Sequence, residues 1–150
     1  MATRSRIGLQ LADDAILSVY HHWDGYPQWL GVVLNRKFNT REKIAELLDG
    51  GDISCIDSDR DWDGKDCAHH VLYYNARGEN TEPRLDLTFD DYIDDGEEYA
   101  YIFTLDHEWE CYALDRYAYT TRNEEKGRAG KVKKVRKLEI PVHHPSELST

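Results

Sequence analysis

Apolar and polar residues alternate at the start of the chain. Ile7, Leu9 and Leu11 are separated by polar or small residues over 5–11, and AILSVYH continues the pattern at 15–21. Successive side chains of a strand point to opposite faces of a sheet, and the polar pair Asp13-Asp14 between the two runs favours a turn. The pattern therefore predicts a β-hairpin over residues 5–21.

The apolar spacing becomes helical after residue 27. Pro27 suits the first turn of a helix, where its missing N–H has no partner to lose, and it precedes apolar residues at helical spacing, Leu30, Val33, Leu34 and Phe38. TREKIAELLDGG at 40–51 predicts a second helix with a buried stripe, Ile44, Leu47 and Leu48. Asn39 or Thr40 can cap its start, and Gly50 is the residue expected in the left-handed conformation at its end.

The second half of the chain is richer in strands. The patterns predict strands at 69–75, 98–105 and 108–114, a short helix at 87–96 capped by Thr88, and an edge strand in VKKVRKLEI. Strand runs that flank a helical block favour an α+β fold over an α/β fold. We expect a small antiparallel sheet of about four to five strands with about two to three helices packed on it. Residues 1–119 are assigned to a single α+β domain, and 120–150 to a basic, partly flexible tail.

Charge is unevenly distributed along the 150 residues. The net charge is −10, with −13 in residues 1–122 and +3 in residues 123–150. An acidic body repels nucleic acid and attracts basic surfaces, although it also suits a merely solvated surface. The basic segment KGRAGKVKKVRK, 126–137, can contact phosphates or fold back onto the acidic body.

The cysteines and the distribution of apolar residues indicate the cellular compartment of the protein. Three cysteines, Cys55, Cys67 and Cys111, form no disulfide framework and favour free thiols in a reducing cytoplasm. The N-terminus MATRSRIGLQ lacks the apolar stretch of a signal peptide, and no run of about 18 apolar residues is present to span a membrane. We therefore expect a cytoplasmic protein without a membrane partner.

The run YHHWDGYPQWLG, 20–31, has two interpretations. In the first, His22, Trp23, Asp24 and Tyr26 form a rim for a flat ligand such as a nucleobase, which aromatic faces stack upon. In the second, the run is a strand-to-helix junction in which Gly25 takes a positive φ, Asp24 caps the helix and Trp23 fills the core. The residues alone leave both interpretations open.

Two groups of residues have metal-ligand character. Asp59, Asp61 and Asp63, followed by Gly64, match the first ligand positions of a calcium loop. The twelfth position holds His70 instead of a bidentate glutamate, so we expect at most a weak divalent-cation site and no other cofactor. Cys67, His69 and His70 with His21 and His22 could form a zinc site, but neighbours on a strand point to opposite faces and too few could meet one ion.

The order SRIGLQ, YHHWDGYPQWLG and VLNRKFNTREKIAELLDGGDIS resembles a family of small phage and prophage proteins. His22-Trp23-Asp24-Gly25-Tyr26 is the specific part of the resemblance, and Arg77-Gly78-Glu79 after Tyr73-Tyr74 matches a later element of the family. The resemblance covers roughly residues 4–112; the aspartate-rich loop and the tail depart from it. It implies a phage source, action in the cytoplasm of the infected host cell, and no particular reaction.

These observations favour a protein that acts by binding over an enzyme. The first hypothesis is a phage accessory protein that inhibits or redirects a host factor, including a defence component, through an acidic surface that meets a basic host protein. One alternative is a sponge for a small nucleotide bound by Trp23, Tyr26 and Arg77. Another is a small hydrolase or transferase on a phosphorylated or nucleotide substrate, with His22 and Asp24 as acid and base and Arg77 as an anion clamp. Direct nucleic-acid binding is disfavoured except through the basic tail.

Overall fold

The computed structural model describes residues 3–56, 70–94, 97–116 and 132–142. Within these ranges the chain forms eight strands. They are β1 (Ser5–Gln10), β2 (Ile16–His21), β3 (Ile53–Ile56), β4 (Val71–Tyr73), β5 (Arg84–Asp86), β6 (Tyr99–Phe103), β7 (Trp109–Arg116) and β8 (Val132–Leu138). The hairpin predicted over 5–21 is confirmed as β1 and β2, which pair antiparallel from Ser5–His21 to Gln10–Ile16.

The helices follow the predicted apolar spacing. Pro27–Gly31 is a π-helical turn that continues into α1 (Val32–Lys37), and α2 (Arg41–Asp49) and α3 (Phe89–Ile93) follow. Tyr74–Arg77 forms a 3₁₀ turn directly after β4. Thr40 caps α2, since its hydroxyl accepts a hydrogen bond from the Lys43 N–H (3.2 Å), and Thr88 caps α3 in the same way. Gly50 is helical, and the left-handed residue after α2 is Gly51 (φ +85°), one position later than predicted.

The sheet is larger than predicted and is not purely antiparallel. Its order is β4-β3-β2-β1-β6-β7-β8, and β5 pairs with the first half of β2. The α+β content is as predicted, but eight described strands replace the expected four or five. β1 pairs parallel with β6, and β2 pairs parallel with β3. The helical block between β2 and β3 makes the second pairing parallel, because a crossover over one face returns the chain in its original direction.

The two faces of the sheet are covered by different helices. One face packs against the π-helical turn, α1 and α2, and its core contains Ile7, Val19, Leu34, Phe38, Ile44, Leu47, Tyr101 and Phe103. The other face packs against α3, with Ile16, Tyr92, Ile93, Ala100, Ile102 and Leu114. His21 belongs to the first face, because residues two apart on a strand share a face and Val19 lies in the first core.

A buried charge lies on the second face. Arg6 donates from Nε to the Ser18 hydroxyl (2.9 Å), and its Nη1 lies 3.7 Å from the Glu97 carboxylate. Arg6 and Glu97 are both almost completely buried. Buried charges are tolerated when they are paired and hydrogen-bonded, so this pair is a fixed part of the second core.

The edge strand predicted in VKKVRKLEI is present as β8, which pairs antiparallel with β7. Lys137 reaches the Glu110 carboxylate at 2.7 Å, so part of the basic segment contacts the acidic body. Leu138 and Ile140 pack against the first core. Among the described helices, none is both long enough and apolar enough to cross a membrane.

Candidate functional site

The run that follows β2 is held against β3. The His22 and Trp23 N–H groups donate to the carbonyls of Ile53 (3.1 Å) and Ser54 (2.9 Å). Alternation along this extended segment directs His21 toward the helix-covered face and His22 toward the opposite face. Two adjacent histidines therefore belong to two different environments.

The turn after Trp23 differs from the predicted one. Asp24, and not Gly25, takes the left-handed conformation (φ +56°). Gly25 is required for a close approach: a Cβ there would lie 2.6 Å from the Thr3 carbonyl oxygen, to which the Gly25 N–H donates at 2.9 Å. The Tyr101 hydroxyl donates to the Gly25 carbonyl (2.7 Å), so the turn is fixed on both sides.

The start of the helical segment also departs from the second interpretation. Pro27 is the first residue of the π-helical turn, as predicted, but Tyr26 occupies the N-cap position and no side chain caps it. Asp24 is therefore not a helix cap. Tyr26 is half-buried and packs edge-on to Trp29, with ring centroids 6.3 Å apart.

His22 and Trp23 belong to a partly exposed aromatic platform, which we define as Tyr20, His22, Trp23, Tyr74 and Arg77. His22 lies edge-on to Trp23 (centroids 4.7 Å apart) and to Tyr74 (6.4 Å), and the Arg77 guanidinium lies 5.7 Å from the Tyr74 ring centroid. Trp23 is 45% exposed, so it does not fill the core. The structure thus joins three predicted site residues, His22, Trp23 and Arg77, through a tyrosine that the sequence did not single out.

The hydrogen-bond partner of His22 is Tyr20. The Tyr20 oxygen lies 2.6 Å from His22 Nδ1, and burial raises the pKa of Tyr20 to about 12. The phenol therefore stays protonated at neutral pH and can donate to Nδ1. Asp24, the partner expected for an acid–base pair, has no hydrogen bond to His22 within the described ranges.

A cleft of about 230 Å³ lies beside the platform, on the helix-covered side of the sheet. Its lining comes from the run itself, the π-helical turn, α1 and the end of β3: His21, Trp23, Asp24, Trp29, Leu30, Val33, Cys55 and Ile56. Trp23 and Asp24 are the predicted site residues that line it. Tyr26 is adjacent through Trp29, whereas His22 and Arg77 are not among the lining residues.

His21 is the polar group that distinguishes this cleft. It is 1% exposed, and its Nδ1 lies 3.4 Å from the Ser5 hydroxyl. Its Nε2 is buried and has no hydrogen-bond partner in the part of the chain that the structure describes. Burial, together with the neighbouring His22, lowers the pKa of His21 to about 3, so the imidazole is neutral at physiological pH.

Sequence reasoning considered His21 only as a possible zinc ligand and did not single out the other lining residues, Trp29, Leu30, Val33, Cys55 and Ile56. His21 and Trp23 are two residues apart in the sequence, a spacing that places side chains on one face of a continuous strand. Trp29 follows on the first helical turn. The two-residue spacing of His21 and Trp23, with a tryptophan on the next helical turn, is the signal that could have suggested a shared pocket. The parallel pairing of β3 with β2 brings Cys55 and Ile56 to the cleft, and no local sequence pattern encodes that pairing.

The candidate metal ligands lie largely outside the described residues. Asp59, Asp61 and Asp63 do so, as do Cys67 and His69 of the zinc alternative. Among the residues that the structure does describe, no group of three or more histidine, cysteine, aspartate or glutamate side chains is arranged to hold a metal ion.

No family model, no curated protein and no solved structure matches this chain. The resemblance to phage and prophage proteins therefore stays a prediction. What the fold defines is a mixed α+β protein with an aromatic platform and a small cleft at the end of its second strand.

Proposed function

We propose that the protein acts by binding a protein partner that presents a basic surface. The charge of −13 in residues 1–122 carries this proposal. Helices on both sides of the sheet add exposed carboxylates: Glu42, Glu46 and Asp49 on α2, and Asp90, Asp91 and Asp94 in and after α3. Fields of one sign steer a partner of opposite charge and accelerate its association.

The same charge disfavours nucleic acid as the partner. β8 contributes some of the positive charge in the sequence, yet its backbone is paired with β7 and Lys137 is bound to Glu110. The phage resemblance makes a host factor, including a defence component, the partner that we propose. The protein would inhibit or redirect that factor by covering its basic surface.

Affinity capture from a bacterial host lysate tests this function. Glu46→Lys with Asp49→Lys changes the net charge from −10 to −6 on the exposed side of α2. Lysine is a good helix former and suits the last helical turn, so α2 should persist. We expect the partner captured by the wild type to fall about tenfold with this variant and to be released at about 0.5 M salt.

The matched control is Glu46→Asp with Asp49→Glu, which keeps the charge and should keep the capture. A partner held equally by the wild type and the lysine variant, and retained at about 0.5 M salt, would contradict the proposal. Circular dichroism of each variant verifies that the fold is retained.

A nucleotide ligand is the second candidate, and the aromatic platform supports it. Trp23 is exposed and offers a ring face, and the exposed Arg77 lies over the partly exposed ring of Tyr74. A base stacked on a ring with its phosphate near Arg77 fits this surface. Thermal unfolding with a panel of nucleotides tests it, because bound ligand raises the melting temperature; no increase with any nucleotide removes the candidate.

A further inference from the structure

The cleft beside the platform contains a polar atom that lacks a partner. His21 lines the cleft, its Nδ1 is next to Ser5, and Nε2 is the remaining ring nitrogen. Buried polar atoms are almost always hydrogen-bonded, and each exception calls for an explanation. Nε2 is itself almost inaccessible, so a donor that enters the cleft supplies the missing hydrogen bond only when the His21 ring or its neighbours shift slightly.

The charge of the cleft excludes an anion. Asp24 is the charged side chain of the lining, it is exposed, and neither lysine nor arginine lines the cleft in the described structure. A phosphate or carboxylate would meet the Asp24 carboxylate with no cation beside it. A cation, in contrast, would gain a partner of opposite charge at the mouth.

The two indoles favour a cation that is flat. Trp23 and Trp29 both line the cleft, and Trp29 is fixed by edge-on packing and a hydrogen bond with Tyr26. Indole faces attract cations, and a guanidinium also stacks on them because it is planar. Leu30, Val33 and Ile56 complete an apolar wall suited to a methylene stem.

The volume limits the size of the ligand. Pockets for drug-sized molecules hold about 300–1,000 Å³, and this cleft holds about 230 Å³. The head of one long side chain fits this space, whereas a whole nucleotide would extend beyond it.

We propose that this cleft binds the guanidinium group of an arginine side chain, which donates to His21 Nε2 and pairs with Asp24 between Trp23 and Trp29. In this arrangement the His21 Nδ1–H donates to Ser5, leaving Nε2 as the acceptor. The inference rests on the proposed function insofar as the arginine belongs to the basic partner. The cleft would then be the point at which one arginine of that partner is anchored.

Titration of the full chain with ethylguanidinium tests the cleft directly. Side-chain NMR signals of His21, Trp23 and Trp29 report occupancy, and a dissociation constant on the order of millimolar is expected for so small a probe. Ethylurea has nearly the same shape without the charge and should give no saturable shift at the same concentrations. Adenosine monophosphate serves as the anionic comparison and should leave the His21 and Trp29 signals unchanged; Trp23 also belongs to the platform, so its signal does not separate the two surfaces.

Asp24→Asn separates charge from shape. Asparagine tolerates the left-handed conformation of residue 24 at least as well as aspartate, so this variant should fold normally. We expect it to weaken ethylguanidinium binding about tenfold. Asp90→Asn, on α3 at the other face of the sheet, makes the same charge change and should leave the affinity within about twofold.

Three results would overturn the inference: no saturable shift with ethylguanidinium, equal binding of ethylurea, or perturbation of the His21 and Trp29 signals by adenosine monophosphate alone. The outcome of the affinity-capture experiment does not depend on the outcome of the ethylguanidinium titration. Partner capture that is lost with the α2 lysine variant but unchanged with Asp24→Asn would support the acidic surface and contradict the arginine anchor. Ethylguanidinium binding that depends on Asp24, with no partner captured, would support the cleft and contradict the proposed function.

Discussion

At the scale of single residues, His21 links stability to pH. Burial is the larger cause of its lowered pKa, about 3 in the folded chain against an ordinary value of 6.5. Between these two values the unfolded chain binds a proton that the folded chain does not. The free energy of unfolding therefore decreases as pH falls from about 6.5 toward 3, by about 1.4 kcal/mol per pH unit for this group.

His21→Asn should remove that dependence. Asparagine keeps a polar atom near the position of Nδ1 and does not titrate. We expect the difference in free energy of unfolding between wild type and variant to be constant above about pH 7 and to shrink at lower pH. Urea denaturation at pH 7, 6, 5 and 4.5 measures it, and a difference that does not change with pH would show that His21 is not held neutral.

The sequence drew attention to this run and, within it, to His22, whereas His21 is the histidine that lines the cleft. Alternation predicts that His21 and His22 point to opposite faces, yet it does not say which face the helices cover. The helices cover the His21 face, so His21 became a buried group of the cleft and His22 an outer one. Trp23, two residues after the end of β2, stays exposed and contributes to both surfaces.

At the scale of elements, the features that local chemistry determines were predictable. The Thr40 and Thr88 caps depend on neighbours three residues away, and both are formed. β3 and β5 contain four and three residues, too few for a period to show, and they were missed; β4 is as short but lies within a longer apolar run, 69–75, which was predicted. Both strands are positioned by pairing with β2: β5 pairs with its first three residues, and β3 pairs with its last residue, His21.

The cap of α2 provides a test at this scale. Thr40→Ala removes the hydroxyl that accepts the Lys43 N–H, and we expect a loss of about 1 kcal/mol in the free energy of unfolding. Thr40→Ser keeps an acceptor and should lose little. Urea denaturation compares the three proteins; equal losses for alanine and serine would assign the effect to the lost methyl group instead of the cap.

At the scale of the whole molecule, pairing between distant segments decides the architecture. The parallel pairing of β1 with β6 joins residues more than ninety positions apart, and no local pattern specifies it. It brings Tyr101 beneath Gly25, where its hydroxyl holds the turn at the cleft. The candidate site thus depends on the assembled sheet, although its residues come from a short run and β3.

A chain that ends at residue 119 tests the predicted division between domain and tail. It lacks β8, together with Leu138 and Ile140, which pack against the first core. β7 would become an edge open to pairing with another copy, and each lost apolar contact is worth about 1 kcal/mol or more.

We therefore expect the 1–119 chain to melt several degrees lower than the full chain and to self-associate in size-exclusion chromatography with light scattering. A chain ending at residue 142 keeps every described strand and should resemble the full chain in both measurements. If the 1–119 chain matches the full chain in melting temperature and mass, the domain ends at 119 and β8 is an addition to a sheet that is already complete. The packing of Leu138 and Ile140 into the same core as Ile7 and Val19 argues for the opposite result.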